Sequence, residues 1–161
     1  MEKKFNPEKF RLVGLALEDF HKAIKEKDIF VREARLIPVH KVGDELALAS
    51  VFLASLKYVK EYREKFFKAI KFKKSSQLLF YTEVQFSHRD YQSSRLDGLI
   101  LSVSKGIIKD AVILEFKGKS GNVDPVQIDQ YLTLNKSTYK VDKLVSVSPE
   151  YVPDIDHLPY T

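Results

Sequence analysis

The apolar positions of this chain repeat first at the spacing of a helix and later at that of a strand. Phe10, Val13, Leu17, Phe20 and Ile24 recur every three to four residues behind Asn6-Pro7, an N-cap followed by proline at the first helical position, and predict a helix to about Lys27. Segment Ile29 to His40 stays open: Ile29-Phe30-Val31 favours strand, Arg32 to Leu36 suits a helix, and Pro38 interrupts either. Gly43-Asp44 opens a long helix whose apolar stripe, Leu46, Ala49, Val51, Phe52, Leu56, Val59, Phe66 and Ile70, ends in a basic stretch.

After Lys73-Lys74-Ser75-Ser76 the period changes. Gln77 to Phe86, rich in aromatic and aliphatic residues, predicts a strand, and Ser87 to Ser94 a polar loop. Arg95 to Val103 and Ile107 to Lys117 predict two further strands joined at Ser104-Lys105-Gly106. Asp124-Pro125 starts a helix carrying Val126, Ile128, Tyr131, Leu132 and Leu134, and Val141 to Ser148 is a last strand. The order helix, helix, three strands, helix, strand predicts an α/β domain with a mixed central sheet flanked by helices. One domain is expected over residues 1–161, with its core at about 43–148. The irregular tail, 149–161, reads equally as a natural end or as the lead into a further domain.

Composition narrows the classes. At 161 residues, 44% hydrophobic and 30% charged, the chain is long enough to bury a core and too apolar for extended disorder. The absence of cysteine excludes disulfide scaffolds, Cys-based zinc sites, iron–sulfur clusters and cysteine nucleophiles. Its longest mostly apolar run, Leu46 to Leu56, is short of a bilayer span, and MEKKFNPEKF lacks a signal peptide's apolar stretch, so a cytoplasmic protein with no membrane partner is expected. The net charge of +5 has one source. Lys57 to Lys74 holds eight basic residues against two acidic, and the remainder of the chain carries a net −1. Lys68, Lys71, Lys73 and Lys74, with Lys119 further on, are therefore the candidates for phosphate contact; a solvated helix face explains such a stretch equally well.

The candidate chemistry lies on the hairpin. A period of two puts Ile113, Glu115 and Lys117 on one strand face and Val112, Leu114 and Phe116 on the other. Folding about Lys105 pairs residues whose numbers sum to about 210, which sets Asp97 opposite Ile113 and diagonal to Glu115. Two carboxylates and a lysine converge, and adjacent carboxylates call for a hard divalent cation with oxygen ligands, Mg²⁺ (or Mn²⁺). The competing explanation, a surface cross-strand ion pair, must account for three charges ending two largely apolar strands.

Leu96-Asp97-Gly98-Leu99-Ile100, Ile113-Leu114-Glu115-Phe116-Lys117 and Gln127-Ile128-Asp129-Gln130-Tyr131 together resemble the PD-(D/E)xK nuclease superfamily, with its restriction-endonuclease-like fold. The resemblance covers roughly Gly43 to Ser148, and Leu96 stands where the family's name has proline. It implies that Asp97 and Glu115 bind the metal, joined by the Phe116 carbonyl, and that Lys117 orients the attacking water and balances charge on the scissile phosphate. It further implies a helix carboxylate as third ligand, for which Glu45 is the candidate and Glu83 its competitor. Gln127 would bond near the metal or phosphate, with Tyr131 behind it. The implied activity is Mg²⁺-dependent hydrolysis of DNA phosphodiesters, RNA not being excluded, by an endonuclease effector of a restriction or phage-defence system. A homodimer, or a further domain or partner supplying target recognition or an ATP-driven switch, is compatible with it. The alternatives are a structure-specific nuclease such as a junction resolvase and a non-catalytic nucleic-acid-binding or assembly module of the same fold.

Other chemistries lack their residues. Gly118-Lys119-Ser120 has Ile113 where a phosphate-binding loop needs glycine, the four histidines lie far apart, and there is no G-x-S-x-G elbow.

Overall fold

The computed structural model describes residues 12–34, 45–73, 75, 77–86, 96–116 and 143–147, with residues 45, 46 and 86 placed by backbone alone. Its elements run α1 (Leu17–Lys25), β1 (Ile29–Glu33), α2 (Glu45–Tyr58), α3 (Lys60–Ala69), β2 (Gln77–Phe86), β3 (Leu96–Ser104), β4 (Ile107–Phe116) and β5 (Leu144–Val147). The five strands form one mixed sheet in the order β1-β2-β3-β4-β5. β1 to β4 are successively antiparallel, and β5 returns parallel to β4. The chain is thus α/β with helices packed on a mixed sheet.

Both sheet faces are buried, which explains why β3 and β4 read as near-continuous apolar runs. On one side Phe20 and Ala23 of α1, with Leu12, cover Tyr81, Leu99, Leu101, Val103, Ala111 and Ile113. On the other, Leu53, Leu56 and Phe67 of α2 and α3 cover Phe80, Ile100, Val112, Leu114 and Phe116. The alternation expected for β4 holds, with Ile113 on the first face and Val112, Leu114 and Phe116 on the second. Each fully buried side chain of this size contributes about 1.5–3 kcal/mol of transfer free energy, so the sheet is held by its two layers rather than by its edges.

Four expectations change. Asn6, Pro7 and Phe10 lie outside the described residues, and among the described ones α1 begins only at Leu17, because Val13 and Gly14 form a turn, with Gly14 at φ +93°. The residues around it pair with the start of β4: Gly14 N–H donates to the Ile108 carbonyl, Ile108 N–H to Leu15, and Leu17 N–H to Gly106. Of the open segment, Ile29–Glu33 is β1, an antiparallel partner of β2, and residues 35–40 lie outside the described residues. The long helix is broken at Val59, whose extended backbone (φ −104°, ψ +101°) separates α2 from α3. The break is stabilised from the basic stretch itself. Arg63 Nη1 donates to the Leu56 and Lys57 carbonyls at 3.1 and 2.7 Å, satisfying acceptors that the end of α2 leaves open. The last strand is described over Leu144–Val147, with Lys143 ahead of it outside the strand; the rest of the expected Val141–Ser148, and the expected helix from Asp124, lie outside the described residues.

The hairpin register also differs. Lys105 and Gly106, both at positive φ (51° and 72°), make a two-residue turn between Ser104 and Ile107, the backbone that matches strand twist. A bulge between Ser102 and Val103 then adds one residue to β4. Ile113 consequently faces Leu99, not Asp97, and Leu114 faces Gly98.

A buried polar knot ties the far end of the sheet. Asp110, only 5% exposed, accepts from the N–H of Lys73 (2.9 Å) and of Ala111 (3.0 Å), and both its oxygens lie 3.1 Å from Lys143 Nζ. Ser102 Oγ donates to the Lys73 carbonyl beside it and bonds Ser75 Oγ, which in turn donates to the Val103 carbonyl. Charge inside a sheet is tolerated because every oxygen is answered. Among the described residues no helix is long and apolar enough to cross a membrane.

Candidate active site

The hairpin register lies two residues from the expected one, with Ile113 facing Leu99 instead of Asp97. The pairing ends at Gly98 facing Leu114, so Asp97 and Glu115 are each the next residue beyond the last pair. Both are partly buried. Asp97 turns its side chain toward β4, where Oδ2 accepts the Phe116 N–H at 2.9 Å. That bond replaces a main-chain ladder bond and fixes the plane of the carboxylate.

The sheet departs from its regular alternation at this level. Leu96 and Leu99 both reach the α1-side core, although three positions apart they belong on opposite faces, and Tyr81 and Val84 of β2 do the same. Each strand therefore carries one residue outside the alternation. These are Asp97 and Glu83, which lie opposite each other between the pairs Thr82–Gly98 and Val84–Leu96. Glu83 has φ +52°, a left-handed backbone that costs a non-glycine residue about 1–2 kcal/mol. Close packing leaves no freedom behind the kink: a Cβ on Gly98 would sit 3.0 Å from Leu53 Cδ1, 3.2 Å from Leu114 Cβ and 3.3 Å from Phe116 Cε2.

Acidic residues thus occur on three adjacent strands, Glu83 on β2, Asp97 on β3 and Glu115 on β4. Glu83 is bound from the far side by Arg32 of β1, Nε to Oε2 at 3.0 Å. Arg32 belongs to the segment whose element the sequence left open, so its place beside Glu83 was not visible; pairing β1 with β2 is the signal that would have shown it. Two residues behind Glu83, burial pushes the Tyr81 phenol up to about 12, and the Glu33 carboxylate adds to the shift.

The other sequence candidates divide. Glu45 is the first residue of α2, two turns before Phe52 and Leu53, the residues of that helix that meet Phe116 and the Gly98 position. Lys117, Gln127, Tyr131, Lys74 and Lys119 lie outside the described residues. Lys68, Lys71 and Lys73 are exposed, but Lys73 is anchored by its backbone to Asp110 and Ser102. From Asp110 to Glu115 is five residues of strand, about 17 Å, so the end of the basic stretch and the carboxylate pair occupy opposite ends of β4. The structure brings Asp97 and Glu115 together and sets this part of the stretch apart from them. Asp110 and Lys143 are charged residues the sequence reading passed over; the signal was a lone carboxylate inside an apolar strand, which demands a partner.

The donor set suits a small hard cation. Mg²⁺ takes one or two carboxylates and completes its shell with water and phosphate oxygens, and Asp97 and Glu115 supply that number. Among the described residues no group of three or more His, Cys, Asp or Glu is placed so that it could hold a metal ion together. Compared with models of known families, with curated proteins and with solved structures, the chain gives no match.

Proposed function

We propose that this chain is a Mg²⁺-dependent nuclease of restriction-endonuclease-like fold that hydrolyses DNA phosphodiesters, serving as the endonuclease effector of a restriction or phage-defence system. The observation that carries the proposal is the hydrogen bond from the Phe116 N–H to the Asp97 carboxylate, which brings Asp97 of β3 beside the residue that follows Glu115 on β4. A carboxylate held by a backbone N–H on a packed hairpin is preorganised, which supports a cation site there.

Asp97 and Glu115 would hold the cation, with Glu45 or Glu83 as the further acidic group. Bound there, the cation would supply charge cancellation on the scissile phosphate and a lowered pKa for the attacking water. Lys117, which follows Phe116, is placed by the family resemblance to orient that water and to neutralise the developing charge. Gln127 is placed by the same resemblance near the phosphate. Arg32, paired with Glu83, adds a cation two strands from Asp97, on the side away from Glu115.

The same hydrogen bond favours a second reading. A carboxylate that accepts a backbone N–H also serves the fold, as it would in a nucleic-acid-binding module that does not cut. Incubating plasmid, single-stranded DNA, four-way junctions and RNA with the protein in Mg²⁺, Mn²⁺ or EDTA separates the readings. The proposal expects metal-dependent cleavage of DNA that EDTA abolishes. Cleavage of four-way junctions alone would make the chain a resolvase, and salt-sensitive binding with no cleavage of any substrate would make it a binding module.

A further inference from the structure

The break at Val59 leaves an unusual surface. Tyr58 ends α2 and is 61% exposed, Val59 is 46% exposed, and Tyr62, in the first turns of α3, is 42% exposed. They sit in the most basic part of the chain, beside the exposed side chains of Lys57, Lys60 and Lys65, with Glu61 and Glu64 exposed on the same helix and the Lys60 ammonium 3.9 Å from Glu64. The Lys57 ammonium lies 5.4 Å from the centroid of the Tyr58 ring, a cation–π contact at the surface. Arg63, by contrast, is committed to the carbonyls that end α2.

Aromatic rings among lysines point away from a protein partner, because interface cores are enriched in aromatic residues but depleted in lysine. They match a polyanion that also offers flat apolar faces. A duplex hides its base faces within the stack, whereas a single strand presents them, and base-on-aromatic stacking beside a basic track is the common way of holding one. The surface is also connected to the candidate site. The Tyr62 ring packs edge-on with Phe52 (centroids 6.0 Å apart), and Phe52 packs in the same way with Phe116 (5.5 Å), the residue after Glu115.

We propose that the α2–α3 corner formed by Tyr58, Tyr62, Lys57, Lys60 and Lys65 is a stacking platform for single-stranded nucleic acid. Resting on the nuclease reading, this makes the substrate a duplex with an unpaired segment or a free single strand. Through Phe52 the platform connects to Phe116, which follows Glu115 in β4.

The test is fluorescence anisotropy in EDTA, where no metal-dependent cutting intervenes, with a labelled 20-nucleotide poly(dT) and a duplex of equal length. Wild type should bind the single strand more tightly than the duplex. Tyr58→Ala and Tyr62→Ala should each weaken single-strand binding by about fivefold to a hundredfold, the range of one lost stacking contact, and leave duplex binding within about twofold. Tyr62→Phe keeps the ring and should restore binding, which separates stacking from any loss of packing against Phe52. Equal affinity for both nucleic acids, or full single-strand binding by both alanine variants, overturns the platform. So does a concentration-dependent dimer of the free protein that the same variants dissolve. Loss of binding in the tyrosine variants without Mg²⁺-dependent cleavage by wild type would sink the nuclease reading alone. Cleavage that needs Asp97 but ignores both tyrosines would sink the platform alone.

Discussion

Asp97 anchors the Phe116 N–H and, in the proposed function, also binds the cation; two substitutions divide these roles. In Asp97→Ala the Phe116 N–H loses its acceptor, and Phe116 is fully buried, so water does not replace it. A hydrogen bond to a charged group contributes about 1.5–3 kcal/mol, and an orphaned buried donor costs a similar amount, so a loss of about 2 kcal/mol is expected. For a chain of this length that lowers Tm by about 4–8 °C. Asp97→Asn retains a carbonyl oxygen at the same place and loses only the charge assistance, about half of the bond, for a drop of about 2–4 °C. Removing one of two neighbouring carboxylates also relieves repulsion from Glu115, which offsets part of that loss. Scanning calorimetry of the three proteins in EDTA reads the structural role. Repeating the scans with excess Mg²⁺ reads the other: wild type should gain stability by mass action, and both variants should gain less. Equal destabilisation by Ala and Asn, or none by either, would refute the anchoring role of Oδ2.

Three further outcomes follow from the packing. Asp110→Ala strands Lys143 and two backbone N–H donors, and truncating one member of a buried pair costs about 3–5 kcal/mol; Lys143 is partly exposed and can turn to water, which sets the lower end, and a loss below about 1 kcal/mol in urea unfolding would contradict the account. Gly98→Ala forces a methyl to within 3.0 Å of Leu53 Cδ1 and should destabilise by about 1–3 kcal/mol in the same assay, whereas an unchanged midpoint would show that the layer gives way. Tyr81 should make stability fall at high pH. Its phenol ionises near 10.0 in the unfolded chain and near 12 in the fold, so the unfolded state sheds its proton first and the native state loses about 2–3 kcal/mol between those values. Urea titrations of wild type and Tyr81→Phe should differ by that amount at pH 12 relative to pH 9, and parallel curves would exclude the effect.

How much of this was legible in the sequence depended on whether the cause was local. β2, β3 and β4 were readable because both sheet faces are covered, so each strand is an apolar run bounded by polar loops. The facing of Val112, Leu114 and Phe116 away from Ile113 followed from strand pleat alone. The register did not, since the two-residue turn at Lys105-Gly106 and the bulge beside Val103 together shift the pairing by two residues and leave no mark on composition. The break at Val59 was hidden because the apolar stripe runs through it; what ends α2 is the Arg63 guanidinium, six to seven residues later in the chain. Asp110 and Lys143 are 33 residues apart, and only the parallel return of β5 unites them. Asp97 and Glu115 could be set near each other from the sequence because hairpin pairing is nearly local, whereas the left-handed Glu83 and its partner Arg32 depend on β1 joining the sheet. Lys117 and Gln127 are outside the described residues and rest on the resemblance.

The central claim is that Asp97 and Glu115 hold one divalent cation on which phosphodiester cleavage depends. Its most direct test is plasmid cleavage by wild type and Glu115→Gln across a Mg²⁺ titration, with Mn²⁺ binding to each followed by electron paramagnetic resonance. The account predicts that wild type cleaves in proportion to the occupancy of one Mn²⁺-competent site, and that Glu115→Gln loses at least a hundredfold in rate, ~3 kcal/mol of barrier, together with that site. A Glu115→Gln protein that binds the metal and cuts at the wild-type rate would contradict it.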